Sequence, residues 1–411
     1  MIIKSSLIHL PMGPRKTSYL LLLLAGIGLF LVSTGVSYAF FNFLKPSGLS
    51  DRKSPGSVTP TLAAKKSKID PSIPRTETCP LNGEMFTKQE RDVWESHRPL
   101  GIMIENSVDA RPQSGLSIAD IVYEAVAEGG ITRFMGVFYC DAALSGNITI
   151  APVRSARIYF VNLISEYDGL YNHVGGAGTC DDPNVDPRAK AICLINTARI
   201  KDLDQFGRAG DFKTCHRVAN RTDKEVAYEH TMACFLDELY KIAAKWKWTN
   251  VDEKGVSWDK NFVPWKFQDA KEQLQGEPAA TVSYAFWGNS FEGAFDVKWE
   301  YDAAQNAYRR SNGGALAVDH NTGDPLIFNT VVVQFAKETS TGDVEKHMLY
   351  DVISSGKAII FMDGVATPAT WSKISRTART IYKDSKGKEI KFNPGPIWIS
   401  ILPIGNEVSY N

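Results

Sequence analysis

The 411-residue chain lacks the short signatures of most catalytic folds. There is no G-x-x-x-x-G-K-[ST], no H-E-x-x-H, no G-x-S-x-G and no G-x-G-x-x-G. Phosphate loops, zinc-peptidase helices, nucleophile elbows and dinucleotide folds therefore have no anchor in it. No C-x-x-C pair occurs, which removes zinc sites of the usual spacing. Beyond residue 80 there is no Lys/Arg-rich block. Residues 1–80 hold ten Lys/Arg and three Asp/Glu, leaving 36 basic and 43 acidic residues in the body, a net of −7. A body with that balance is a poor candidate for non-specific nucleic-acid binding. There is no internal repeat.

Charge is also absent from Thr17 to Leu44, which includes "YLLLLLAGIGLFLV". About 20 apolar residues span a bilayer, so the run is read as a transmembrane signal-anchor after a cytoplasmic tail, 1–16. Arg15 and Lys16 favour an N-in orientation. A cleaved signal peptide ending at "SYA" (Ser37 to Ala39) is the rival reading. Either places the body outside the cytoplasm, at the cell membrane. Residues 45–80, rich in Pro, Ser and Lys without an apolar period, read as a disordered linker.

What is present fits an exported globular body. Composition is 44% hydrophobic, enough for a sizeable core. The six cysteines, Cys79, Cys140, Cys180, Cys193, Cys215 and Cys234, are an even number and suggest disulfides, at least one among the last four. Several could instead be buried thiols.

Two parts are expected: an α/β domain over 81–275, with a mixed β-sheet and flanking helices in three layers, and a smaller β-rich domain over 276–411. In the first, "PLGIMIEN" reads as a buried strand. "DIVYEAVAEGGITRFMGVFYC" reads as a hairpin about Gly129-Gly130, with a helix over Asp120–Glu128 as the competitor. A two-residue turn would set Glu128 against Ile131 and Val126 against Arg133, with Arg133 diagonal to Glu124 and Glu128. "ITIAPV", a helix from Ala156 and "GLYNHV" read as strand–helix–strand, parallel if both strands share a sheet. Thr179–Ala227 reads as an irregular excursion stapled by cysteines. "YEHTMACFLDELYKIAAKW" reads as a helix. Beyond Gln275, short strand-like runs follow one another.

The chemistry gathers at "APVRSAR". It leaves one strand and opens a helix, and "HVGG" leaves the next strand, so both should meet at the carboxyl edge of the sheet. Ser155 could cap the helix. Arg154 and Arg157 would then offer forked donors to an anion at its N-terminus. The alternative pairs both arginines with body acids such as Glu128 or Glu166. His173 precedes two glycines that would let a ligand approach, or is a buried, hydrogen-bonded histidine. Histidines 173, 216 and 230 with Glu105 or Glu128 would make a metal site, but no short-spaced pair supports one. No metal or cofactor is expected.

At "RPLGIMIEN", "ARPQSGLSIADIVYE", "EGGITRFMGVF", "APVRSARIYF", "YDGLYNHVGG" and the final "FNPGPIWISILP", the chain resembles the YerB-like envelope lipoproteins, the family of domain of unknown function 3048. The resemblance covers most of 98–411. It implies an α/β N-terminal and a smaller C-terminal domain, an extracytoplasmic location and no established reaction. Its recurrent polar positions fall on Asn106, Arg111, Glu124, Glu128, Arg133, Arg154, Arg157 and His173. Glu105 stands where the family usually has Asp, and "YEHT" stands where the family has an "APHN"-like motif. No cysteine precedes Cys79, so the helix replaces a lipid anchor.

The expected function is binding of an anionic cell-envelope ligand or a wall-synthesis partner, without catalysis. The alternative is an enzyme acting on phosphate or glycosidic bonds of envelope glycan, with Arg154 and Arg157 clamping the anion and Glu128 or Glu105 as base. An enzyme would need these arginines, an acid and His173 in one cleft.

Overall fold

The computed structural model describes residues 72–269, 276–288 and 290–411. The signal-anchor expected over 17–44 lies outside them, as does most of the linker. No helix among the described residues is long and apolar enough to cross a membrane. All described residues belong to one compact unit. The linker's expected end at residue 80 is corrected. Glu77–Thr78 already pairs with Met85–Phe86, and Cys79 is fully buried.

The body is built on one eleven-stranded mixed sheet. Its order is Glu277–Pro278, Val365–Ser372, Ser355–Met362, Thr330–Ala336, Ile397–Pro403, Ile121–Glu128, Ile131–Phe138, Leu100–Glu105, Leu170–His173 and Lys201–Asp204. Ile381–Lys383 pairs beside Val365–Ser372. Strands from both sides of residue 275 share this sheet. Ile397–Pro403 lies between Thr330–Ala336 and Ile121–Glu128, parallel to both, with Ile397 against Ile121 and Ser400 against Glu124. Such strands are covered on both faces, which is why Leu100–Glu105 is buried throughout and Ile121–Glu128 is buried up to its last residue.

On one face sits the helix Ile158–Ile164, whose Tyr159 hydroxyl donates to the Val126 carbonyl at 2.7 Å. On the other lies a six-stranded sheet containing Val297–Asp302 and Ala307–Asn312. Trp398 of the main sheet meets Phe134, Trp299 and Phe328 edge-on, with ring centroids 5.0–5.5 Å apart. These aromatic pairs bury large areas in favourable geometry and weld the two sheets together.

The Gly129-Gly130 hairpin forms, with both glycines at positive φ, and Glu128 faces Ile131 as expected. A bulge between Val126 and Glu128 shifts the rest, so Arg133 faces Ala125 rather than Val126. The charged cluster expected on one face is therefore split. Arg133 stays with Glu128, whereas Glu124 points into the interface with the second sheet. The strand–helix–strand reading is also corrected. Only Thr149–Ile150 forms the first strand, and it pairs with Met232–Phe235 in a separate three-stranded sheet. Met232–Phe235, inside the expected helix, is a strand. The helix proper is Leu236–Lys245, and "YEHT" is a 3-10 turn.

All six cysteines are bonded, as Cys79–Cys140, Cys180–Cys193 and Cys215–Cys234. Sulfur and carboxylate also meet at Cys79, Asp120 and Cys140. That is no thiolate site, because the two sulfurs bond each other. Asp120 instead accepts from Asn82 Nδ2 and from the Tyr139 and Cys140 amides.

Candidate functional site

Leu100–Glu105, Leu170–His173 and Lys201–Asp204 run parallel, so their last residues share one edge. "APVRSAR" crosses that edge beside "HVGG", as expected. The Arg154 amide donates to Met103 O, Val174 N donates to Arg154 O, and Ala156 N donates to Gly175 O, at 2.9–3.1 Å. The edge thus collects Glu105, Glu128, Arg133, Arg154, Arg157 and His173.

The arginines are not equivalent. Arg157 is 7% exposed and grips Glu128 Oε2 with Nη2 at 2.5 Å and Nε at 3.1 Å. Arg133 holds the other carboxylate oxygen at 2.6 Å and also donates to Ser155 O at 3.0 Å. Burial pushes the Glu128 carboxyl up, but the two guanidiniums more than offset it and hold it at about 2. Burial, with Arg133 next, draws the Arg157 pKa down. Ser155 is not a cap. Arg157 takes the N-cap position without a side-chain cap bond, and the helix has only seven residues. The forked anion site expected at its N-terminus is thus occupied, for Arg157, by the protein's own carboxylate.

Arg154 sits outermost. Its Nη1 donates to Glu229 O at 3.1 Å. Its Nε is 3.3 Å from Glu105 Oε1, close enough for an ion pair but without hydrogen-bond geometry. Its side chain is 25% exposed. The other Glu105 oxygen is 2.8 Å from His230 Nδ1, which draws the "YEHT" turn onto the edge.

His173 is fully buried and bonded. Nδ1 lies 2.7 Å from Gly175 O and Nε2 2.9 Å from Asp202 Oδ1, with Asp204 3.6 Å away. Both ring nitrogens face acceptors, so the ring ties the strand end to its neighbour. His216 stacks between Phe212 and Phe235. The three histidines are not gathered as a metal site. Among the described residues, no cluster of close ligand atoms includes them.

Glu124 and Asn106 belong to a deeper network. Glu124, fully buried, accepts from Thr132 Oγ1 and Arg310 Nη2 at 3.0 Å and from Trp398 Nε1 at 3.2 Å. Burial raises its pKa against the pull of Arg310. Asn106 Nδ2 donates to Thr132 Oγ1 and Asn312 Oδ1, and its Oδ1 accepts from Arg111 Nε and Gln113 Nε2. Burial, then Arg310, brings Arg111 down to about 10. Arg310 lies over Trp398, 4.3 Å from its centroid. Sequence reading missed Arg310, Asn312, Asp202 and Asp204. For the first two a signal existed. In "AYRRSN" Tyr308, Arg310 and Asn312 share one side of a strand, and that side is buried.

The depressed Glu128 pKa has a pH signature. Its folded value, about 2, lies below the ordinary 4.5. The stabilisation is complete above about 4.5 and is lost as pH falls toward 2. Unfolding of the Glu128→Gln variant should lose that part of the pH dependence. Parallel acid curves for variant and wild type would contradict the pairing.

Two family models match the chain: "Protein of unknown function (DUF3048) N-terminal domain" over residues 83–246, and the DUF3048 C-terminal domain over 285–399. The chain is 30% identical over 339 residues to "Putative lipoprotein YerB" of Bacillus subtilis (strain 168), covering 81% of this chain and 88% of that protein. The crystal structure of Bacillus subtilis YerB superposes with a TM-score of 0.63 at 26% identity, covering 81% of this chain and all of that one. The residues matched by the family models include the hairpin, the "APVRSAR" crossing and the start of the strand Ile397–Pro403, and the chain belongs to the YerB-like family of DUF3048 proteins.

Proposed function

We propose that the body is a binding module for an anionic cell-envelope ligand, tethered to the membrane outside the cytoplasm and performing no catalysis. One observation carries this. At the carboxyl edge Arg133, Arg154 and Arg157 stand against two carboxylates, Glu105 and Glu128, and the outermost cation, Arg154, is partly exposed. The two buried arginines fix Glu128. Arg154 pairs with Glu105 through Nε but keeps a quarter of its side chain exposed, and its fork suits phosphate or carboxylate. Tethering is supported by the uncharged run Thr17–Leu44, by three disulfides and by the lipoprotein designation of YerB.

Glu128 argues against the enzyme reading. A general base works best when its pKa is near the working pH, and a carboxylate held at about 2 is a weak one. Glu105 has both oxygens engaged. A wall-synthesis protein as the ligand's carrier is the second reading. It is favoured by the exposed rings of Tyr228, stacked on Arg217 next to Glu229, and Phe206, beside Gly175.

Titration calorimetry of the full-length chain with a glycerol-phosphate polymer should show saturable binding that weakens with salt. Arg154→Ala should lower the affinity about tenfold or more while leaving the chain folded, since His230 still holds the other Glu105 oxygen. Binding unchanged in Arg154→Ala would remove the reading.

A further inference from the structure

At the opposite end of the same parallel strands lies a cavity of about 300 Å³, bordered by Gly169 before one strand and Lys201 at the start of the next. Small-molecule sites begin at roughly this size. Its charges do not cancel. Glu166 is taken by Lys373 Nζ at 2.8 Å and by Thr380 Oγ1 at 2.6 Å. Asp168 is taken by Lys201 at 2.6 Å and by the buried Arg98 at 2.5 Å. That leaves Arg199 and Arg376 without a carboxylate. Arg376 Nη1 reaches only the neutral Ser165 Oγ, at 2.9 Å, and the Arg199 side chain has no hydrogen bond or ion pair among the described residues.

Arg199 adopts a φ of 54° as the residue that ends the helix Ala191–Thr197, with its amide on Asn196 O and the Ile200 amide on Ile195 O, and this turn sets its side chain at the cavity rim. The wall between the two arginines mixes an apolar ring, Phe262, packed against Trp258 at 5.1 Å, with Asn261 and Thr377. The Asn261 and Thr377 side chains make no hydrogen bonds among the described residues. Two forked cations, an amide, a hydroxyl and an aromatic face are the groups that hold an anion on a hydroxylated ring.

We propose that this cavity binds a sugar-sized molecule bearing one anionic group, phosphate or carboxylate, with Arg199 and Arg376 as its clamp. The site is separate from the carboxyl edge and does not depend on the reading given for that edge.

Calorimetry of the full-length chain with glucose 6-phosphate, glucuronate and uncharged glucose tests it. At least one charged probe should bind saturably, and glucose should bind at least tenfold more weakly. The relative strength of the two charged probes tells phosphate from carboxylate recognition. Arg199→Ala, at an exposed position that leaves the fold intact, should weaken the charged probe about tenfold, and Arg199→Ala/Arg376→Ala more. Arg154→Ala should bind it as wild type does. No binding of either charged probe, or wild-type affinity in the double variant, would overturn the proposal.

Discussion

Glu124→Ala should lower the unfolding free energy by about 3–5 kcal/mol, the range expected when one partner of a buried ion pair is removed. Glu124 and Arg310 are 0% and 1% exposed at the side chain, so the variant leaves a guanidinium deep between two sheets without its counter-charge. It also strips an acceptor from Thr132 Oγ1 and Trp398 Nε1. Replacing both ends together should behave differently. Glu124→Leu/Arg310→Met removes both charges, and Met can still pack against Trp398 and Trp299, so the double variant should recover a large part of the loss. Denaturant unfolding of Glu124→Ala, of Glu124→Leu/Arg310→Met and of the single Glu124→Leu and Arg310→Met variants measures this. If Glu124→Ala costs under about 1 kcal/mol, or if the two positions are additive, the pair is not the joint between the sheets.

Cys79→Ser/Cys140→Ser should cost about 4 kcal/mol by the chain-entropy argument, because that bond closes a span of 61 residues. Cys180→Ser/Cys193→Ser, spanning 13 residues, should cost about 3 kcal/mol. The first bond has further consequences. It pins the entry segment against Asp120, which collects the Asn82 side chain and the Tyr139 and Cys140 amides. Equilibrium unfolding under oxidising conditions should rank the two pairs in this order. A reversed ranking would mean that the entry segment is not anchored to the body by its disulfide.

How much of this was legible in the sequence follows the range of each interaction. The Gly129-Gly130 turn is local chemistry, so the hairpin and the Glu128–Ile131 register could be read directly. The bulge could not. One extra residue at Val126–Glu128 leaves no mark in an apolar run, yet it parts Glu124 from Arg133. The meeting of "APVRSAR" with "HVGG" was legible because the carboxyl ends of parallel strands collect loops. The strand expected before it was not real beyond Thr149–Ile150, because Ala151–Val153 bonds outward, to Ser114, Glu105 and Met232. For Arg157 the sequence allows either a ligand or a body acid. Glu128, one of the two acids named for it, is its partner. The seam at Ile397–Pro403 and the Arg310–Glu124 contact, 186 residues apart, were beyond local pattern. Parallel neighbours distant in sequence carry no turn signal.

The most direct measurement of the central claim is diffraction from crystals of the full-length chain grown with a short glycerol-phosphate oligomer. A phosphate should lie within hydrogen-bond distance of the Arg154 guanidinium, roughly 2.7–3.2 Å, with the Arg133–Glu128–Arg157 clasp undisturbed behind it. Electron density for the oligomer elsewhere, with Arg154 still turned onto Glu105 and Glu229, would contradict the account.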